Sequence, residues 1–66
     1  MTLGLYISAS EVRRGDLYVR RYADMLVFET YETRRGTVAI CVEGPRGPHE
    51  FRHRPATKVL VIRRKA

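Results

Sequence analysis

The 66-residue sequence has no tryptophan, a single cysteine and only seven acidic residues against thirteen basic ones. It also lacks any apolar run near the roughly 20 residues that span a bilayer. One cysteine excludes an internal disulfide and fits a reducing compartment. Cys41, inside the apolar run Val38–Val42, reads as a small buried hydrophobe with a raised pKa and little reactivity. Met1–Ala9 is mildly apolar but has no basic leader and is shorter than a signal core, so a soluble, cytoplasmic chain is expected. Helical periodicity is absent throughout. So are a Ser-His-Asp or Cys-His set and a phosphate-cradling glycine loop. The expectation is a non-enzymatic protein without cofactor or metal.

Sixty-six residues make one small domain, 1–66, which buries only about 60% of the surface its unfolded chain exposes. Dimerisation is one way for such a domain to gain buried area.

What is present is β-type patterning. Thr2–Ser8 alternates with Leu3, Leu5 and Ile7 on one face; a bend or single helical turn capped by Ser8 or Ser10 follows. Arg13-Arg14-Gly15-Asp16 is a turn. Asp16–Arg20 reads as a second strand with Leu17 and Val19 inward. The central feature is Met25–Glu43, two apolar arms around Thr33-Arg34-Arg35-Gly36, which predicts a long antiparallel hairpin. Strict alternation puts Met25, Val27, Glu29 and Tyr31 on one face of its first arm. Gly44–Pro48, with two glycines and two prolines, reads as a loop. His49–His53 is a short strand with Phe51 inward, Arg54–Thr57 a tight turn or one turn of 3₁₀ helix, and Lys58–Arg63 the last strand. Residues 64–66 form a basic tail expected to fray. Five or six short strands without a substantial helix predict an all-β fold, a small barrel or sandwich, with closure hiding the sheet edges.

The order of strand, "EVRRGD" turn, strand, long hairpin, Pro/Gly loop, strand, "RPAT" turn and final strand resembles an SH3-like small barrel. The Gly15-Asp16 pair and the turn at Pro55–Thr57 fall where such barrels carry similar features. The composition also resembles that of short Arg-rich proteins of actinobacteria and their phages. The resemblance implies a fold that serves nucleic-acid binding, peptide binding and subunit assembly alike. The aromatic pairs of a proline-peptide groove are not present.

Two short motifs carry less than they spell. His49-Glu50-Phe51-Arg52-His53 matches H-E-x-x-H, but zinc binding needs both histidines on one helical face. In a strand they stand about 13 Å apart. Arg14-Gly15-Asp16 is better read as a turn than as an adhesion signal.

The net charge of +6 attracts polyanions, although a small domain also carries charge simply to stay dissolved. Arginine pairs stand at Arg13-Arg14, Arg20-Arg21, Arg34-Arg35 and Arg63-Arg64. Turns held on a rigid sheet are where binding residues tend to lie. The expected nucleic-acid contacts are Arg13, Arg14, Arg34, Arg35, Arg46, Arg52 and Arg54, with Tyr18, Tyr22 and Tyr31 as stacking candidates if exposed. DNA and RNA are not distinguished. The alternative is an interaction module or small regulator that meets an acidic protein, or a second copy of itself, through a sheet edge and the apolar faces of Leu26–Phe28, Val38–Val42 and Val59–Ile62. In that reading the seam is the second apolar face of the hairpin, around Cys41.

Overall fold

The computed structural model describes residues 2–21 and 23–64. Six strands, β1 (Thr2–Ser8), β2 (Leu17–Arg20), β3 (Ala23–Glu32), β4 (Val38–Gly44), β5 (Gly47–His53) and β6 (Lys58–Arg64), form one sheet in the order β1-β6-β2-β3-β4-β5. Every neighbouring pair is antiparallel. The fold is all-β, as the strand patterning predicts. The only helical element among the described residues is one 3₁₀ turn, Ala9–Glu11, between β1 and β2. It lies at the bend after Ser8, whose amide donates to the Glu11 carboxylate at 3.2 Å, while Arg54–Thr57 is a plain turn closed by Thr57 N–H to the Arg54 carbonyl. Of the expected tail, Arg64 ends β6, and residues 65 and 66 lie outside the described residues.

The sheet curls over itself without closing into a barrel. Tyr18 on β2 meets Phe51 on β5 edge-to-face at 5.2 Å, although β3 and β4 separate those strands in the sheet. The core between the two layers centres on Val27, Ile40, Val42 and Val61, all fully buried. Among the described residues both edges of the sheet, β1 and β5, therefore stay open. β5 is guarded by Pro48, Glu50 and Arg52, devices that discourage further pairing. β1, TLGLYIS, has neither a charge nor a proline.

Three local expectations are corrected. On β2 it is Tyr18, not Leu17 and Val19, that faces inward: Tyr18 is 2% exposed and lies opposite Met25 and Val61, both core residues. Antiparallel partners share a face, so this register decides which side of β2 is buried. On β3 the alternation breaks. Val27 pairs with Val42 and Glu29 with Cys41, so the extra residue, Phe28, forms a β-bulge. Met25 and Val27 point into the core, and Glu29 and Tyr31 take the outer face. Finally, Gly44–Pro48 is not a loop throughout. The ladder runs to Glu43–Pro48 and Gly44–Gly47, leaving Pro45-Arg46 as a two-residue turn. Pro48 is tolerated because β5 is an edge strand, where a missing N–H costs no ladder bond. Gly15, Gly36 and Gly47 have φ of +98°, +78° and +114°, conformations that favour glycine at three tight turns.

Candidate nucleic-acid interface

In a meander of antiparallel strands, alternate turns fall at opposite ends. The β2–β3 and β4–β5 turns thus share one end of the sheet, and the β3–β4 tip occupies the other. At the shared end the curled layers diverge around a cleft of about 840 Å³. Its rim carries Arg20, Arg21, Arg46 and His49, and its floor is Ala23, Met25 and Phe51. Gly44 packs closely beside this floor: a Cβ there would come within 3.0 Å of the His49 ring, 3.2 Å of the Gly47 carbonyl oxygen and 3.6 Å of the Met25 sulfur.

Arg20 is placed over the Phe51 ring at 4.7 Å and over Tyr18 at 5.9 Å, a cation–π arrangement that holds its guanidinium at the cleft wall. The ion pairs among the described residues are Arg52–Glu50 at 2.7 Å and Arg63–Asp16 at 2.9 Å. Within those residues Arg20, Arg21 and Arg46 therefore have no carboxylate partner. Behind the wall, the Tyr18 hydroxyl lies 2.6 Å from His53 Nε2. Burial, aided by the charge of Arg20, pushes His53 below its ordinary 6.5, so the ring is neutral at pH 7 and can accept the hydroxyl hydrogen.

The expected contact residues divide over the molecule. Arg46 is at the cleft. Arg34 and Arg35 lie at the opposite tip, beyond the seven residues of β4, about 23 Å at ~3.3 Å per residue. Arg54 lies toward that same end, next to His53, which pairs with Val38 at the start of β4. Arg13 and Arg14 precede Gly15 and Asp16, which bond to Val27 in the middle of β3. Arg52 is on the outer face of β5, engaged by Glu50. Tyr18 offers no stacking face, because its ring is buried between Phe51 and Arg20. Tyr31 is 43% exposed and donates its hydroxyl to Glu50 at 2.6 Å. Tyr22 lies outside the described residues. Sequence reasoning passed over Arg20, Arg21 and His49. The Arg20-Arg21 pair was visible, but no glycine follows it to mark a turn tip.

The outer face of the hairpin, expected as an apolar seam, is capped by polar side chains. Ala39 and Cys41, both buried on β4, are small enough for Tyr31, Glu50 and Arg52 to meet across them. The Tyr31 hydrogen bond and then the Arg52 pair hold Glu50 below the ordinary carboxylate value. Burial and then the Glu50 charge push the Cys41 thiol up, in line with the raised pKa expected of it, although it is buried on the outer face and not in the core. His49 and His53 lie on strand β5 rather than on one helical face, and His53 is engaged by Tyr18. No helix among the described residues is long and apolar enough to cross a membrane.

No protein family, curated protein or solved structure matches this chain.

Proposed function

We propose that this protein is a non-catalytic nucleic-acid-binding β-domain whose contact site is the cleft between the β2–β3 and β4–β5 turns. The supporting observation is the placement of Arg20, Arg21 and Arg46, none with a carboxylate partner among the described residues, around an apolar floor of Met25 and Phe51. Arginine forks suit phosphate oxygens bidentately, and the guanidinium plane of Arg20, laid on Phe51, is a surface on which an unstacked base can stack. A cleft of this size admits a base with its sugar-phosphate, not a duplex, so a single strand is the ligand class. The test is fluorescence anisotropy with a short labelled single-stranded oligonucleotide over a salt series. Affinity falls with salt, with a log–log slope of about −0.7 per phosphate contacted. No binding at low salt overturns the reading.

The interaction-module reading has one observation of its own. Tyr6, Leu26 and Leu60 are 70%, 47% and 42% exposed on the outer face of the sheet, an apolar surface that nucleic-acid binding does not use.

A further inference from the structure

The two sheet edges are unlike. Proline and charge guard β5, whereas β1 presents seven residues with neither. We infer that β1 pairs antiparallel with β1 of a second copy of this chain, with Leu5 on the two-fold axis.

The case for a copy of itself rests on the symmetry of the strand. Centred on Leu5, the pairing sets Leu3 opposite the partner's Ile7, Leu5 opposite Leu5, and Gly4 opposite the partner's Tyr6. The first two pairs lie on the inner face, where Leu5 and Ile7 pack partly buried against the core and Leu3 is 43% exposed. The third pair lies on the outer face. Tyr6 is 70% exposed, and nothing lies within 4 Å of a Cβ built on Gly4. An aromatic ring laid over a cross-strand glycine fills that space, and here it does so twice. Gly4 pairs with Ile62 and Tyr6 with Leu60 on the neighbouring β6, so each incoming ring also reaches an apolar side chain. A one-residue slip would turn the inner leucines outward, so the register is specified by the same alternation.

Charge does not oppose the contact. Each copy carries +6, yet the nearest basic residues, Lys58, Arg63 and Arg64, are on β6, and Arg63 is paired with Asp16. In the paired sheet the two β6 strands are separated by both β1 strands, about 14 Å at ~4.8 Å per strand. That exceeds the Debye length of about 8 Å at physiological ionic strength. A strongly acidic partner, by contrast, would be drawn to the arginine-bearing ends rather than to this uncharged edge. Seven residues a side is well below a standard interface of roughly 20–30 residues a side, so the dimer is weak, with a dissociation constant on the order of 10⁻⁵–10⁻⁴ M.

Sedimentation equilibrium from micromolar to about 1 mM tests this. The expected result is a mass rising to twice that of the chain, and a Tyr6→Lys variant whose dissociation constant is about tenfold or more higher. Leu26→Lys, on β3 and away from the edge, keeps the wild-type value. Unchanged circular dichroism in both variants shows that the fold is kept; as a second route, Leu3→Lys also weakens the dimer. A chain that stays monomeric at 1 mM overturns the inference. So does a dimer that survives both edge variants, or one broken by Leu26→Lys instead.

Discussion

Asp16 and Arg63 form a two-pronged ion pair that joins the start of β2 to the end of β6. Arg63 Nε donates to Oδ1 and its second nitrogen to Oδ2, both at 2.9 Å, across 47 residues of sequence. Asp16 is 3% exposed, accepts a further bond from the Arg13 amide, and Arg63 also reaches the Glu11 carbonyl. One carboxylate thereby ties the 3₁₀ turn, the β1–β2 connection and β6 together at the point where β2 and β6 share only two register pairs.

Removing one partner of such a pair leaves the other buried and uncompensated. Arg63→Met is expected to destabilise the fold by about 3 kcal/mol, measured by urea denaturation. Burial alone would raise the Asp16 pKa, but the bonds from Arg63 and the Arg13 amide outweigh it and hold the group below its ordinary 3.8. The folded value is the depressed one. The stability it contributes is therefore whole above 3.8 and falls away as pH drops from there through the folded value. Asp16→Asn is expected to flatten the acid limb of the stability curve; an unchanged limb would place acid sensitivity elsewhere.

His53 gives a second pH-dependent term, at higher pH. Its folded pKa is lowered, so the unfolded chain takes up a proton first and stability declines as pH falls from 6.5 through the folded value. Arg20→Gln removes the neighbouring charge and is expected to raise the His53 pKa, read from its ring resonances by NMR titration. The effect is partial, because burial is the larger cause.

Gly44 is predicted to matter for packing at the cleft floor. Gly44→Ala puts a methyl group 3.0 Å from His49 and 3.2 Å from the Gly47 backbone carbonyl; the latter belongs to the start of β5, in register with Gly44 itself, and cannot swing aside. Overpacking of this kind costs about 1–2 kcal/mol. Thermal denaturation checks the cost, and a shift in the His49 ring resonances checks that the change is local.

Strand number and the hairpin were legible because alternation and turn chemistry are local signals. Met25–Glu43, the turn at Gly36 and the apolar last strand all follow from them. The faces of β2 and of the outer half of β3 were not legible. Tyr18 is buried through its cross-strand partners Met25 and Val61, which no local pattern reveals, and the Phe28 bulge inverts a period that strict alternation cannot see breaking. The candidate site was legible only in part. Arg46 was found through its turn, whereas Arg20 and Arg21 join it because meander topology brings two distant turns to one end. The edge strand β1 was visible as a strand, but its unguarded state depends on strand order, which alternation does not fix.

The central claim is that one end of the molecule binds, not its charge as a whole. Two triple variants separate these: Arg20→Gln/Arg21→Gln/Arg46→Gln at the cleft, and Arg34→Gln/Arg35→Gln/Arg54→Gln at the opposite end. Each lowers the net charge by three, from +6 to +3, so diffuse attraction falls equally. Anisotropy with a single-stranded oligonucleotide, the two variants compared at each point of a salt series, is expected to show about a tenfold or greater further loss of affinity in the cleft variant than in the tip variant, with a salt slope shallower by about 0.7 for each phosphate contact removed. Equal losses in the two variants, or a larger loss at the tip, would contradict the assignment of the cleft.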